Sequence, residues 1–365
     1  MEIRAAVFHR IHEPVPIETI EVDTPSGREV LVRTVATGVC HSDLHVVDGA
    51  SRHDVGRPIV LGHEGAGVVE AVGADVQTVR PGDHVVACLS GFCGSCAQCL
   101  SGHPNLCVGG AVGRSASAPP RLAQRGAALS AFAGVGSYAE RMLLHENSVV
   151  KIDADLPLDR AALVGCGVLT GVGAALRTAG LEAGQTVAVF GCGGVGLSVV
   201  QGARIGGARQ IIGVDVFDGK LEMARRLGAT HVVNSARDEA VRAVRALTAG
   251  AGVDHAFEAV GSAALCRQAI ESLAIRGTAT IVGVLPPDAT IEFPWLAIRP
   301  ECRVQTSRMG SNRFRIDIPR YLELYRQGRL LLDEMVSRRG RLDDLNEAFR
   351  AMKAGEVART VLTFE

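Results

Sequence analysis

A short apolar strand runs directly into a glycine-rich loop and then into a helical pattern near the middle of the chain. The strand covers Thr186–Phe190, the loop covers residues 191–196, and helical spacing continues through residues 197–205. An almost fully apolar strand indicates a parallel sheet that is buried on both faces. A G-x-G-x-x-G loop between a strand and a helix is typical of a βαβ unit that binds a dinucleotide. This feature therefore predicts a doubly wound α/β domain.

Strand and helix patterns continue to alternate through residues 186–305, as a doubly wound parallel sheet requires. The second strand ends in Asp215, at the distance from the loop where an acidic residue contacts the adenosine ribose of NAD. Its negative charge would repel a 2′-phosphate, which favours NAD over NADP. A plain carboxylate at a strand end is the alternative for Asp215. Cys192, inside the loop, is interpreted as a small apolar filler.

Three residues with metal-binding side chains lie far apart in the sequence. Cys40 follows an apolar strand, His63 stands in the triplet Gly-His-Glu, and Cys166 lies between two glycines. Two cysteines and a histidine supply three ligands to zinc and leave a fourth position open, as in catalytic zinc sites. A lone cysteine is usually a small buried hydrophobe, but these residues together predict a catalytic zinc. We expect this site and the dinucleotide loop to face each other across a cleft.

Polar residues beside these ligands suit proton transfer and ligand orientation. Ser42 offers a hydroxyl that can pass a proton, and His45 can carry a proton to solvent near neutral pH. Asp43 and Glu64 are placed to hold the ligands from behind. The alternatives are loop histidines exposed to water for His41 and His45, and solvated acids for the two carboxylates.

A second cysteine set is compact in sequence. Its members lie within residues 90–110, three of them separated by two residues each: Cys93, Cys96, Cys99 and Cys107. Four thiolates complete the coordination of zinc, so this site is predicted to be structural. Four unrelated thiols in a loop are the alternative, but closely spaced cysteines are a strong metal signal. Two zinc ions per chain are therefore predicted.

Composition describes an ordinary globular protein and favours two domains. The chain has 365 residues, of which 47% are hydrophobic and 21% charged. A net charge of −1 without long charged runs gives no indication of a nucleic-acid or membrane partner. The longest apolar run, residues 187–200, is broken by glycines and too short to span a bilayer. Without a signal-peptide pattern, ten cysteines favour metal binding in a reducing cytoplasm.

The flanking segments predict a second domain of short strands. Residues 1–90 carry short apolar or alternating runs bounded by Gly, Pro and Asp. Residues 108–137, rich in Gly, Ala, Ser and Pro, are predicted to form a long loop. A helix is predicted from Leu158, with an interruption at residues 165–167. The C-terminal segment should fold back onto the first domain, so the predicted domains are 1–167 with 308–365, and 168–307.

Zinc and a nicotinamide cofactor together restrict the reaction. Zinc is a Lewis acid that lowers the pKa of an alcohol, and NAD accepts a hydride. The hydroxyl proton could leave through Ser42, the cofactor ribose and then His45. The pattern therefore indicates an oxidoreductase that acts on an alcohol or aldehyde.

In this order, the motifs resemble those of zinc-dependent alcohol dehydrogenases of the medium-chain dehydrogenase/reductase superfamily. The resemblance covers nearly the whole chain and rests on residues 38–43, 62–69, 81–85, the four-cysteine lobe, 165–167, 191–196 and 359–364. It implies a GroES-like β-barrel catalytic domain joined to a Rossmann domain. It also implies a dimer or a tetramer, and the long segment 108–137 resembles the dimeric branch. We therefore expect a homodimer, with a homotetramer as the alternative.

The same resemblance assigns roles to individual residues. Cys40, His63 and Cys166 would hold the catalytic zinc with Glu64 close behind, and Ser42 and His45 match the proton relay. The residues that match cofactor contacts are His41, Thr170, Gly191, Gly193, Gly194, Val195, Gly196, Asp215, Lys220, Val260, Val282, Val284 and Arg359. The predicted substrate pocket consists of Ser42, Leu89, Phe132, Ala133 and Val284.

Departures from the family pattern bear on the substrate. Leu89 stands where many ethanol-active members carry an aromatic ring, and Ala133 stands where a larger side chain is common. These residues predict a roomy pocket for a bulky primary alcohol, aromatic or terpene-like, or its aldehyde. Ser51 replaces the Asp typical of glutathione-dependent formaldehyde dehydrogenases, which weakens that alternative. A nicotinoprotein that keeps NAD bound is a further alternative, whereas complete site motifs argue against a non-enzymatic zinc scaffold.

Overall fold

The computed structural model describes residues 1–50, 56–110, 112–115 and 117–364, and these fall into two compact units. The first unit contains Met1–Cys166, Arg313–Arg326 and Leu332–Glu365. The second contains Gly167–Asn312 and Gln327–Leu331. The predicted division, 1–167 with 308–365 and 168–307, differs from these units at Gly167, at residues 308–312 and at residues 327–331.

The first unit is built mainly from short strands. They are β1 (Glu2–Phe8), β2 (Ile17–Val22), β3 (Glu29–Gly38), β4 (Ile59–Val60), β5 (Glu64–Val72), β6 (His84–Ala87), β7 (Leu122–Gln124), β8 (Ala127–Ala131), β9 (Arg141–His145) and β10 (Val149–Ile152). Helices α1 (His41–Val47) and α2 (Ala97–Leu100) interrupt the series. Strands β1, β2, β7, β8 and β4 close into a barrel. Its apolar cluster includes Ile3, Val7, Ile20, Val60, Leu122 and Leu129.

The loop predicted for residues 108–137 is wrong over β7 and β8, which are part of the closed barrel. Gln124 pairs with Ala127 across a two-residue turn. Both turn residues, Arg125 and Gly126, have positive φ angles of 50° and 79°, as a tight hairpin turn requires. These strands contain few β-branched residues, so their conformation comes from pairing in the barrel and not from local preference.

The predicted interruption at residues 165–167 is also wrong, because helical structure continues there. Helix α3 (Leu158–Leu163) passes into a π-helical turn, Val164–Val168, which is followed by α4 (Leu169–Gly173). Gly165 serves packing instead, since a Cβ at this position would lie 2.5 Å from the Ala87 carbonyl oxygen. Single π turns are frequent at functional sites, and this one carries Cys166.

The helical run Leu158–Thr178 is the only one among the described residues that is long and apolar enough to cross a membrane. It is longer than the apolar run at residues 187–200 that the sequence singled out. Its mean hydropathy is 1.5, but 83% of its apolar window is buried inside the protein. Burial of this kind is what a core helix shows.

The second unit contains a six-stranded parallel sheet, which confirms the predicted doubly wound domain. Its strands are β11 (Thr186–Phe190), β12 (Gln210–Asp215), β13 (His231–Asn234), β14 (Val253–Glu258), β15 (Leu273–Ile281) and β16 (Arg303–Thr306). Their order is β13-β12-β11-β14-β15-β16, which is the Rossmann order. The helices between them are α5 (Gly194–Ile205), α6 (Asp218–Leu227), α7 (Ala240–Leu247) and α8 (Ala263–Glu271).

The C-terminal segment returns to the first unit as predicted. It forms α9 (Phe314–Arg326), β17 (Arg338–Gly340), α10 (Leu345–Lys353) and β18 (Thr360–Thr363). Strand β18 pairs with β3 and completes a seven-stranded sheet of order β10-β6-β5-β3-β18-β17, with β9 also paired to β3. This pairing brings Arg359, the residue before β18, close to the end of β3. Short 3₁₀ turns occur at Pro104–Leu106, Phe132–Gly134, Glu146–Ser148, Trp295–Ala297, Met309–Ser311 and Leu342–Asp344.

Candidate active site and metal centres

Cys40, His63, Glu64 and Cys166 lie together in the first unit, with one ligand atom from each within 4.8 Å of all the others. All four residues are buried. Cys40 caps the N-terminus of α1, His63 and Glu64 stand at the start of β5, and Cys166 lies in the π turn. Because β3 and β5 pair in antiparallel register, Gly38 lies opposite Glu64, and a Cβ on Gly38 would overlap the Glu64 carboxylate.

The unpaired atoms of this cluster fit a zinc ion. His63 is 1% exposed, and its Nε2 has no hydrogen-bond partner among the described residues. A buried nitrogen lone pair is costly unless it is satisfied, and two cysteine sulfurs beside it supply the remaining ligands that zinc prefers. The prediction that these three distant residues form one metal site is thus supported by their positions.

The electrostatics of the cluster favour a thiolate at Cys40, whereas the contact between the two cysteines raises the pKa of Cys166. A hydrogen bond with Cys166 holds the pKa of the Cys40 thiol well below its usual range despite burial, and His63 acts in the same direction. Burial raises the pKa of Glu64 to about 7, against the opposing effect of the neighbouring Arg359 guanidinium. A thiolate is the form of cysteine that binds metal.

Arg359 is only 4% exposed and lies directly behind the ligands. Its Nη2 donates to Glu64 Oε1 at 2.6 Å, and its Nη1 donates to the Val39 carbonyl oxygen at 3.3 Å. Its predicted contact with the cofactor pyrophosphate is a separate role and stays a prediction. The sequence did not indicate the ion pair with Glu64, because the two residues are 295 positions apart.

Asp43 is fully buried, so its alternative interpretation as a solvated acid is wrong. Its Oδ2 lies 3.1 Å from His63 Nδ1, and its Oδ1 accepts the Gly62 N–H at 2.7 Å. A carboxylate against the second nitrogen of a metal-binding histidine fixes the tautomer and the ring orientation. Tyr138 also donates to this carboxylate, and sequence spacing contained no signal for that contact.

The predicted proton-relay residues lie on α1, directly after Cys40. Ser42 Oγ is 3.8 Å from Cys40 Sγ. His41 and His45 are one helical turn apart, with ring centroids 6.4 Å from each other in an edge-to-face arrangement. Ser42 and His45 are half-buried and His41 is exposed, and the proton relay through them stays a prediction.

The four-cysteine set forms a second compact cluster, with Sγ atoms of Cys93, Cys96, Cys99 and Cys107 within 4.8 Å of one another. The Cys93–Cys99 and Cys96–Cys107 sulfur distances are both 3.9 Å. These distances are too long for disulfides, and ligands about 2.3 Å from a tetrahedral zinc lie about 3.8 Å apart. The backbone N–H of Ser95 lowers the pKa of Cys93 to about 6. The set therefore fits a structural zinc.

The glycine loop of the second unit has the geometry that phosphate binding requires. Gly191 has a φ of 94°, and a Cβ on Gly196 would overlap the Gly191 carbonyl oxygen. Gly193 is the N-cap of α5, and Gly194 and Val195 form its first turn. Backbone N–H groups at a helix N-terminus attract phosphate. Cys192 is fully buried, as predicted.

Asp215 connects this loop to the end of β12. Its Oδ2 accepts the Cys192 N–H at 2.8 Å, and its Oδ1 accepts the N–H groups of Val216 and Phe217. It is thus more than a plain strand-end carboxylate, although its predicted ribose contact stays a prediction. Lys220, the other predicted ribose contact, places its Nζ 4.8 Å from the ring centroid of Phe217.

Apolar side chains remain exposed at the carboxyl ends of β14 and β15, where the cofactor is predicted to bind. Val260 and Val284 are 51% and 64% exposed. Val282 donates its N–H to the Glu258 carbonyl oxygen at 2.8 Å. Glu258, which was not among the residues predicted from sequence, is buried and accepts three N–H groups from residues 260–262. The only indication of Glu258 in the sequence was an acidic residue at the end of a predicted strand.

The remaining residues predicted to form the substrate pocket or to contact the cofactor differ from one another in burial. The Phe132 ring is buried and lies edge-to-face against His63, with centroids 5.4 Å apart. Leu89 is half-buried against a core cluster, and Ala133 is exposed with a φ of 53°. In the second unit, Thr170 Oγ1 lies 3.4 Å from Met309 Sδ. Ser51 lies outside the described residues.

A barrel unit with two zinc-ligand sets and a Rossmann unit define a zinc-containing, nicotinamide-dependent dehydrogenase. Family comparisons agree: residues 26–154 match the alcohol dehydrogenase GroES-like domain, and residues 194–326 match the zinc-binding dehydrogenase domain. The chain belongs to the zinc-dependent alcohol dehydrogenases of the medium-chain dehydrogenase/reductase superfamily. The two ligand sets fit two zinc ions, and the Rossmann unit fits NAD(H).

Similar proteins have several activities. The NDMA-dependent alcohol dehydrogenase of Amycolatopsis methanolica is 40% identical over 370 residues, covering 99% of both chains. The S-(hydroxymethyl)glutathione dehydrogenase of Saccharomyces cerevisiae is 37% identical over 98% of this chain and 95% of that one. The structure of the benzyl alcohol dehydrogenase from Acinetobacter calcoaceticus has a TM-score of 0.92 at 33% identity, with full coverage of both chains.

Proposed function

We propose that this enzyme transfers a hydride between NAD and a bulky primary alcohol or its aldehyde, with aromatic or terpene-like substrates preferred. The observation that carries the proposal is the buried Cys40–His63–Cys166 set with Phe132 against the histidine ring. Three protein ligands leave one position for the substrate oxygen, and an aromatic wall beside that position favours an apolar substrate.

Residues of the first unit have separate proposed roles in the reaction. Zinc held by Cys40, His63 and Cys166 would supply a Lewis acid that lowers the pKa of an alcohol hydroxyl. Ser42 accepts the hydroxyl proton, and His45, three positions along α1, releases it to solvent. Asp43 orients the His63 ring from behind, and Phe132 excludes water from the face of that ring.

Small side chains around the pocket support a large substrate. By the family resemblance, Ser42, Leu89 and Ala133 would border the substrate and leave apolar volume that ethanol would not fill, whereas each buried methylene group contributes about 0.8 kcal/mol. The similarity to a benzyl alcohol dehydrogenase over the full chain supports the same choice.

We expect kcat/KM to rise by at least about tenfold from ethanol to hexanol, benzyl alcohol or geraniol, because four added methylenes are worth about 3 kcal/mol at most. The difference should lie mainly in KM. Steady-state rates across this panel, with S-(hydroxymethyl)glutathione included, provide the measurement. Leu89→Phe should lower kcat/KM for benzyl alcohol but not for ethanol, whereas Leu100→Phe, at a residue 75% exposed, should change neither. Ethanol as the best substrate would refute the proposed pocket.

A nicotinoprotein is the second candidate, favoured by the similarity to an NDMA-dependent alcohol dehydrogenase. The same residues would serve either function, because both need zinc and NAD. The two are separated by denaturing the purified protein and measuring released NAD. About one NAD per chain, with turnover supported by NDMA and not by added NAD, would select the nicotinoprotein.

We propose that the cofactor is NAD, preferred over NADP by at least about tenfold, which corresponds to about 1.4 kcal/mol. Asp215 carries this proposal through charge repulsion of a 2′-phosphate. Asp215→Asn keeps an acceptor for the Cys192 N–H and should narrow the preference, whereas Asp215→Gly also removes that bond and should weaken NAD binding. Asp218→Asn is the control, since this exposed acid pairs with Arg237. Equal kcat/KM for the two cofactors in the unmutated enzyme would contradict the assignment.

We also propose a homodimer in the cytoplasm, with a homotetramer as the alternative. The length of residues 108–137 supports the dimer, and light scattering of the purified protein tests it. None of the ten cysteines forms a disulfide, which supports a reducing compartment.

A further inference from the structure

Tyr138 is fully buried between the two segments that carry Cys40 and His63. Its backbone N–H donates to the Leu61 carbonyl oxygen at 2.9 Å. A Cβ on the neighbouring Gly62 would lie 2.5 Å from the Tyr138 ring, so this glycine lets the ring approach the strand. The other side of the ring packs edge-to-face on Phe349, with centroids 6.3 Å apart. The ring is therefore held from both sides.

The Tyr138 hydroxyl contacts the segment that carries Cys40 at two points, and it reaches His63 only through Asp43. It donates to Asp43 Oδ2 at 3.0 Å, and it is placed to accept the Cys40 backbone N–H at 3.4 Å. The same Asp43 oxygen lies 3.1 Å from His63 Nδ1. A chain of contacts thus runs from Tyr138 through Asp43 to the imidazole, with no exposed member.

We propose that Tyr138 is a positioning residue for the catalytic zinc, acting through Asp43 on His63. The carboxylate can swing about its own side-chain bonds, and its two oxygens need donors in fixed directions because it is buried. The Gly62 N–H holds Oδ1, and the Tyr138 hydroxyl holds Oδ2 at 3.1 Å from His63 Nδ1. With Oδ2 fixed, His63 keeps Nδ1 protonated and directs Nε2 at the metal.

This role goes beyond the proposed substrate and rests only on zinc at the Cys40 site. Ring packing alone would not require a hydroxyl, since phenylalanine fills nearly the same volume. The hydroxyl, however, makes the one side-chain contact to Asp43 apart from His63 that the described residues provide. Its removal should loosen the histidine without opening a cavity.

The test is the zinc affinity of Tyr138→Phe, measured by competition with a graded chelator and elemental analysis of the remaining metal. Residues that hydrogen-bond to a metal ligand contribute about 10- to 100-fold to metal affinity. We expect zinc binding to be about tenfold weaker here, because Tyr138 contacts Asp43 and not the ligand His63 itself. The four-cysteine zinc should be retained. Tyr325→Phe is the matched control, because Tyr325 also donates to an aspartate, Asp333, at 3.0 Å and lies outside both ligand sets.

A double-mutant comparison separates positioning from packing. If Tyr138 acts through Asp43, adding Tyr138→Phe to Asp43→Asn should weaken zinc binding by less than about twofold more. An undiminished effect in the double variant, or unchanged affinity in Tyr138→Phe, would overturn the proposal. Loss of the four-cysteine zinc to the same extent as the Cys40-site zinc would also overturn it. The same holds if Tyr138→Phe lowers the Tm of the metal-free and the zinc-loaded protein equally, because either result indicates general destabilisation. Unmutated protein without zinc at the Cys40 site would overturn the zinc assignment itself, a failure that needs no variant to detect.

Discussion

Cys40→Ala should remove one of two zinc ions and lower kcat by at least about 10³-fold, because Lewis-acid stabilisation is worth several kcal/mol. The loss removes one of the two thiolates of the set and leaves His63, Cys166 and the Glu64 carboxylate, which hold zinc more weakly. The fold should survive, because Cys40 lies at a helix cap and not within a strand of the barrel. Elemental analysis and steady-state rates with a good alcohol substrate provide the measurement.

Cys88→Ala is the matched control for this experiment. Cys88 is as deeply buried as Cys40, and burial raises the pKa of its thiol to about 12, so it stays protonated. It belongs to neither ligand set, and the variant should retain both zinc ions and rates within a few-fold of the unmutated enzyme. Two zinc ions in Cys40→Ala would show that the ligand assignment is wrong.

Cys96→Ala should remove the other zinc and lower stability by about 4 kcal/mol or more, equivalent to a Tm lower by about 10 °C. The reason lies in the composition of the lobe around the four cysteines. Leu100 and Val108 are 75% and 79% exposed, so the lobe has little apolar core of its own. The metal therefore supplies most of the free energy that orders this segment.

Thermal unfolding, zinc content and limited proteolysis within residues 90–110 test this expectation. The zinc at the Cys40 site should remain, because its ligands come from other elements. Cys302→Ala serves as the control, since Cys302 is half-exposed and belongs to neither set. An unchanged Tm after loss of the lobe zinc would mean that the metal has no structural role.

Several features predicted correctly from sequence have a geometry that is local. The glycine loop is one example, because Gly191 needs a positive φ and Gly196 needs close backbone approach within the same six residues. The four-cysteine lobe is another, since its ligands are separated by few residues. The alternating strands and helices of the second unit follow the same logic, because buried parallel strands are apolar throughout.

The errors concern segments whose conformation depends on distant partners. Strands β7 and β8 have weak strand preferences and become strands by closing the barrel with β2 and β4. Residues 165–167 contain two glycines, which predict a break in isolation, but they form a π-helical turn in which Gly165 lies close to the Ala87 carbonyl oxygen. Local preference is a small free energy, and tertiary pairing overrides it in both places.

By itself, the sequence determined which side chains are able to bind zinc, contact NAD or transfer a proton, because these abilities depend on the type of residue. Only the tertiary structure decided which residues distant in sequence stand behind those side chains. Arg359 reaches the Val39 carbonyl oxygen across 320 positions, and Tyr138 reaches Asp43 across 95. Such contacts depend on how β3 pairs with β5 and β18. They also depend on burial, because a polar atom shielded from water must form its hydrogen bond with a nearby protein atom. No short stretch of sequence contains that information, because strand pairing is cooperative over the whole unit.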